Sequence, residues 1–200
     1  MRLYLIRHGE TDWNAAGRYQ GQSDIPLNRT GIQQARKIAG RLSKEKIDAI
    51  YSSDLSRARE TAEQIAQAHK LKVTSDARWR ELSFGDWEGL TYPEMEAKAP
   101  DELALWRSDP TQYAPPHGET FTQLAKHVLS AFNELNDLDA EQTVVIVSHG
   151  GPLQILLCHV LGVNFQRHWQ FSISKSALSI LSLYKDGALL ELFNDTSHLS

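Results

Sequence analysis

The sequence lacks most of the features that mark secreted, membrane or nucleic-acid-binding chains. Its 200 residues hold one cysteine, Cys158, so no disulfide can form within the chain. Cys158 stands in the apolar run Leu156-Leu157-Cys158-His159-Val160-Leu161 and reads as a small core residue. No hydrophobic run approaches the length of a membrane span. The first residues, Met1-Arg2-Leu3-Tyr4-Leu5-Ile6-Arg7, are too short an apolar run for a signal peptide. Excess positive charge is also missing. The net charge of -4 argues against a general nucleic-acid binder, which is usually basic. There are no repeats, charge runs or low-complexity tracts. The expectation is a soluble, cytoplasmic chain with no nucleic-acid or membrane partner.

What is present is an ordinary globular balance, 41% hydrophobic and 23% charged, with a length that suits one domain with a sizeable core. Leu3 to Ile6 and Val144 to Val147 are short apolar runs that read as buried strands. Ile47 to Tyr51 and Lys72 to Thr74 read as further strands. Asn28 is placed to cap a helix over Arg29 to Leu42, whose Ile32, Ala35, Ile38, Ala39 and Leu42 share a face. Asp54 is expected to cap a second helix ending near His69. Helices are also expected from Phe121 to Leu135 and from Gly151 to Leu161. Ala177 to Tyr184 and Ala188 to Phe193 flank Lys185-Asp186-Gly187 as a hairpin.

The alternation of strands and helices predicts an α/β fold, a three-layer α/β/α sandwich around a mainly parallel sheet. Residues 1–200 are read as a single domain. Residues 78–118, rich in aromatics and broken by Gly85, Gly89, Pro93, Pro100 and Pro110, are read as an inserted, partly helical cap.

Two strands end in a His-Gly pair, Arg7-His8-Gly9 and Ser148-His149-Gly150. In open α/β sheets ligands bind beyond the carboxyl ends of strands, so both histidines are expected on one rim. A lone histidine at a strand end is more often a satisfied polar residue; two at matching places favour a site. Neither has the Asp, Glu or Cys neighbours of a metal centre, and Arg7 would repel a cation. Arginine beside histidine suits phosphate, which the guanidinium fork matches and the imidazole can attack.

The ordered blocks make a resemblance specific. Leu5-Ile6-Arg7-His8-Gly9-Glu10-Thr11 with Trp13-Asn14, Gly17-Arg18-Tyr19-Gln20-Gly21, Ser52-Ser53-Asp54-Leu55-Ser56-Arg57-Ala58-Arg59-Glu60-Thr61-Ala62, Glu81-Leu82-Ser83-Phe84-Gly85-Asp86-Trp87-Glu88-Gly89 and Val147-Ser148-His149-Gly150 together resemble the histidine phosphatase superfamily, the phosphoglycerate-mutase-like proteins. The resemblance covers nearly the whole chain. It implies a catalytic set of His8 (nucleophile), Glu81 (acid, then base), His149, Arg7 and Arg57. It implies substrate binding by Arg7, Asn14, Gln20, Gly21, Arg57, His149 and Gly150, with no cofactor and no metal. His149 is expected to act protonated. Glu81 must be held protonated, and Leu82, Phe84 and Trp87 are the expected apolar shell.

By position alone Arg57 would be an exposed helix residue; only the block match reverses that. His117 stands where the family commonly has glycine and is a candidate for substrate contact. The partner is a small-molecule phosphate ester, and a homodimer is kept open. Within the superfamily the pattern is most like the α-ribazole-5'-phosphate phosphatases of cobalamin biosynthesis. The alternatives are another small-molecule phosphatase (phosphoserine, fructose 2,6-bisphosphate or broad specificity), a phosphoglycerate mutase, and an inactive binding module.

Overall fold

The computed structural model describes residues 1–135 and 141–200. Its centre is strand β1 (Arg2–Arg7), whose inner four residues are all buried. A strand buried on both faces needs a partner on each edge and a layer above and below. Both needs are met. β1 pairs in parallel with β4 (Thr143–Ser148) on one side and antiparallel with β5 (Leu178–Tyr184) on the other. With β2 (Ala49–Ser52), β3 (Val73–Ser75) and β6 (Gly187–Asp195), the strand order is β3-β2-β4-β1-β5-β6. The first four strands run parallel, and the β5–β6 hairpin supplies the antiparallel edge.

Alternation along the strands sorts side chains into two cores. Leu3 and Leu5 of β1, with Val144 and Ile146 of β4, pack under helices α6 (Phe121–Glu134) and α7 (Gly150–Val160). Tyr4 and Ile6, with Val145 and Val147, pack under α2 (Arg29–Leu42) and α3 (Ser56–His69). This is the expected three-layer sandwich. Removing one such side chain, as in Ile146→Ala, costs about 2–5 kcal/mol through lost burial and the cavity left behind.

Helix α2 begins as expected, with the Asn28 side chain accepting from the Gly31 amide at 2.8 Å. Helix α3 does not. Its N-cap is Leu55 with no side-chain cap, and Asp54 instead takes a two-pronged bond from Arg80, at 2.7 and 2.6 Å. A charged fork outcompetes a helix amide for a carboxylate. Cys158 is free and fully buried, and burial pushes its thiol up to about 11.

Residues 78–118 carry two short helices, α4 (Tyr92–Lys98) and α5 (Pro100–Ser108), beside single 3₁₀ turns. Helix α1 is the four-residue turn Asp12–Ala15. Thr91 and Glu94 form a capping box at the start of α4. Trp87, Met95 and Leu103 make a small apolar cluster of their own. Trp106 meets Trp87 and Phe84 edge to face, with ring centres 5.6 and 6.1 Å apart. Trp79 belongs to the main core instead.

Candidate active site

The parallel pairing of β1 and β4 sets Arg7 opposite Ser148, so the next residue on each strand is a histidine at the same rim. The His8 amide donates to the Ser148 carbonyl at 2.9 Å. The two imidazoles lie 5.0 Å apart between ring centres, edge to face. The paired strand ends therefore do what their spacing implied.

Each ring has one nitrogen committed. His8 Nδ1 lies 2.7 Å from the Gly9 carbonyl, which can only accept, so Nδ1 carries the proton and Nε2 keeps its lone pair. Burial, then the charges of Arg57 and Arg7, hold the His8 pKa well below 6.5. His149 has the opposite tautomer. Arg57 Nε donates to its Nδ1 at 3.2 Å, so the proton sits on Nε2, which has no partner in the protein. Burial, then Arg57, lower its pKa as well. The expectation of a protonated His149 is therefore corrected: an arginine fixed on Nδ1 leaves room for a neutral Nε2–H donor only.

Arg57 is fully buried, the reverse of what its place on α3 suggests. Besides His149, it donates through Nη1 to the Ser23 carbonyl at 2.8 Å and through Nη2 to the Gly21 carbonyl at 2.7 Å. Burial lowers its pKa to about 10, so it stays charged at neutral pH. Gly21 has φ +52°, and a Cβ there would lie 2.0 Å from Glu88 Oε1. Its carbonyl can turn towards Arg57 only because the residue is glycine. Arg7 donates through Nη1 to the Ile173 carbonyl at 2.6 Å, while its Nε has no partner.

Glu81 comes from the loop before the 78–118 helices, yet it sits at the start of α7. Its carboxylate accepts from the Leu82 amide at 2.9 Å and from the Gly151 amide at 3.1 Å. A Cβ on Gly151 would lie 2.4 Å from Glu81 Oε1 and 3.1 Å from Leu124 Cδ2, so glycine is required for this approach. Burial raises the Glu81 pKa; the two amides, Arg7 and Arg57 oppose it and lose. Of the expected shell, Trp87 packs with Met95 and Leu103 in the separate cluster.

These groups border a cleft of about 270 Å³ walled by Arg7, His8, Asn14, Gly17, Arg18, Tyr19, Gln20, Gly21, Arg57, Glu81 and Phe84. Asn14 Oδ1 is held by the Thr11 amide and Gln20 Oε1 by the Thr11 hydroxyl, so the NH₂ ends of both amides are left for a ligand. His149 is fully buried and, with Gly150, stands behind the wall. The Gly150 amide is in the first turn of α7 and has no intrahelical acceptor.

Sequence reasoning passed over Thr61, whose hydroxyl donates to the Arg57 carbonyl and accepts from the Gly9 amide, joining α3 to the end of β1. Its place four residues after Arg57 was the available signal. Arg18 and Tyr19 on the wall were also missed. His117 lies elsewhere: it is exposed, pairs with Asp86 at 3.0 Å and has φ +57°. That left-handed backbone favours glycine, which accounts for the residue expected there. Among the described residues no three His, Cys, Asp or Glu side chains are grouped to hold a metal. None of the described helices is long and apolar enough to cross a membrane.

Residues 3–196 match the histidine phosphatase superfamily (branch 1). The chain belongs to that superfamily. It is 34% identical over 199 residues to Phosphoserine phosphatase 1 of Hydrogenobacter thermophilus, covering all of this chain and 94% of the relative. It is 36% identical over 209 residues to the "Probable phosphoglycerate mutase GpmB" of Proteus mirabilis, covering all of this chain and 95% of that one. The alpha-ribazole phosphatase from Shigella flexneri superposes with a TM-score of 0.91 at 30% identity, covering 98% of this chain and 96% of the other. These likenesses fix the class, a histidine phosphatase enzyme, and not the substrate.

Proposed function

We propose that the chain hydrolyses a phosphomonoester through a phosphohistidine on His8. The observation that carries this reading is the His8 tautomer: Nδ1 is tied to the Gly9 carbonyl, and a neutral Nε2 faces a cleft lined by two arginines. Nε2 attacks phosphorus in line while the ester oxygen departs. Arg7 and Arg57, the His149 Nε2–H, the amide ends of Asn14 and Gln20, and the Gly150 N–H meet the equatorial oxygens. Such fixed donors act on charge that spreads in the transition state. The departing alkoxide takes the proton held on Glu81. Glu81, now a carboxylate, then removes a proton from water, which attacks the phosphohistidine and frees His8. Residues 78–118, as a cap over the rim, bring Glu81 to this position.

The test is rapid quench during turnover. Acid-labile, alkali-stable phosphate on His8 is the expected result, lost in His8→Ala together with activity by roughly 10⁴-fold or more. Full activity in His8→Ala would overturn the mechanism.

For the substrate we favour a phosphate on a flat, partly apolar, uncharged group, with α-ribazole-5'-phosphate as the first choice. Tyr19 and Phe84 meet edge to face at 4.9 Å on the outer wall and offer such a surface. Three cations of the cap are already engaged: Arg78 with Asp76 and Glu134, Arg80 with Asp54, and Arg107 with Tyr92. Arg18, the one extra arginine on the wall, is bound to the Gly89 carbonyl and Glu94. Competition among α-ribazole-5'-phosphate, 3-phosphoglycerate, phosphoserine and fructose 2,6-bisphosphate decides it by kcat/KM. Preference for an acidic ester would remove this substrate and keep the chemistry.

A further inference from the structure

The segment that carries Glu81 is anchored by a half-buried carboxylate that does not line the cleft. Glu119, just before α6, accepts from the Ser83 amide at 2.9 Å and from Gln22 Nε2 at 3.2 Å, both on Oε2. Its own amide donates to the Ser83 carbonyl at 2.9 Å, closing a reciprocal pair. Gln22 Nε2 also reaches the Glu81 carbonyl at 3.3 Å. One carboxylate thus fixes the residue two after Glu81 and, through Gln22, the peptide of Glu81 itself.

That charge has a counterion. His127 on α6 places Nε2 3.8 Å from Glu119 Oε1, and its Nδ1 donates to the Arg78 carbonyl at 2.6 Å. Nδ1 must therefore hold a proton. A neutral ring would turn a bare, buried Nε2 lone pair towards a carboxylate, and a charged ring turns an N–H there. Asp76 is the other acidic group acting on the ring, while the Arg78 guanidinium is turned to Asp76 and Glu134. Burial pulls the His127 pKa down, but Glu119 and the Arg78 carbonyl outweigh it and leave it raised. Burial likewise pushes Glu119 up, and His127 with the Ser83 amide outweighs that.

We propose that Glu119, compensated by His127, is a positioning residue for Glu81: it holds the 81–83 backbone and Gln22 so that the Glu81 carboxyl meets the leaving oxygen. This rests on the reading of Glu81 as the acid. An acid displaced by a fraction of an ångström loses proton transfer, while His8 and Arg7 keep their places at the end of β1 and Arg57 keeps its bond to His149. Glu119 does not reach substrate.

The test is a double-mutant cycle of Glu81→Gln and Glu119→Gln, read on an alkyl phosphate and on p-nitrophenyl phosphate, whose leaving group needs little protonation. Glu119→Gln should lower kcat on the alkyl ester about 10-fold or more and on the aryl ester about 2-fold or less. In the Glu81→Gln background the same change should cost almost nothing, because the group it positions no longer carries a proton. Equal losses on both esters, or additive losses in the cycle, would overturn the proposal. A Glu81→Gln variant that is itself indifferent to the leaving group removes the acid reading, and the proposal with it, and shows this without any Glu119 variant. The His127 ring, followed by NMR, should titrate at lower pH in Glu119→Gln; no change would remove the counterion part. If Glu119→Gln does not fold, His127→Gln and Gln22→Ala enter the same cycle with the same expected signs.

Discussion

The two walls of the cleft are held by different physics. On the sheet side, His8, His149 and Arg57 follow directly from two strand ends and one helix start. Each is locked by backbone or by another member of the set. On the other side, Glu81 and Phe84 stand on a loop fixed by carboxylate struts. Glu88 accepts from the amides of Gln22, Ser23 and Phe84, and Glu119 from that of Ser83. The proposed phosphate clamp is thus built from the core outward, and the proposed acid, Glu81, is hung from side chains. The difference teaches that changes on the first wall should cost stability and activity together. Changes on the second should separate the two.

Arg57→Ala is the harshest test of that contrast. It removes a charge from the phosphoryl group and orphans two buried carbonyls and the His149 Nδ1. A fall in kcat/KM of about 10²–10³-fold is expected from the lost transition-state donor. Each orphaned group adds about 1–3 kcal/mol of destabilisation. Arg57→Lys keeps the charge but not the fork, so it should rescue little. Activity assays and thermal melts on both variants check this, and an active, stable Arg57→Lys would break the comparison.

Glu81→Gln should leave the melting temperature nearly unchanged while slowing alkyl esters about 10²–10⁴-fold, with aryl esters much less affected. The pH profile of kcat/KM sharpens the point. His8 is held neutral well below 6.5, so the acid-side limb should lie below pH 6.5. Glu81 has a raised pKa, so the base-side limb should mark its deprotonation and vanish in Glu81→Gln. A base-side limb that persists in the variant would assign it to another group.

Phe84→Leu should raise KM for an aromatic ester by roughly 2- to 10-fold, the worth of one aromatic pair, and leave kcat alone. Competition assays against an aliphatic ester read the difference.

The His127 contribution to stability is smaller and has a sign. Its folded pKa lies above 6.5, so the stabilisation is complete below pH 6.5 and is lost as pH rises through the folded value. The melting-temperature gap between the parent chain and His127→Gln should therefore narrow as the buffer is made more alkaline. Exhaustive chelation should have the least effect of all, none on either wall. Two arginines beside His8 disfavour a cation there, and a loss restored by Zn²⁺ or Mg²⁺ would reverse that conclusion.

Much of this architecture is written in local pattern. Four-residue apolar runs ending in His8 and His149 specified parallel central strands. The helical period from Arg29 to Leu42 gave α2 its full range, because Asn28 caps it and Leu42 ends its apolar face. What local pattern missed is competition between distant partners. Asp54 looked like a helix cap by spacing, but Arg80, 26 residues on, takes its carboxylate. Arg57 looked exposed by its place on α3. It is buried because the carbonyls of Gly21 and Ser23 and the ring of His149 accept its donors.

The sequence by itself determined the strand ends, the helical faces and the ordered blocks that carry family membership, since these depend on periodicity and residue type within short windows. Only the tertiary structure decided protonation. The neutral tautomer of His149 follows from Arg57, 92 residues away, and the raised pKa of Glu81 from the water that tertiary packing excludes. No window of sequence contains that information, because a proton's position depends on distances between elements rather than on the residues of any one of them.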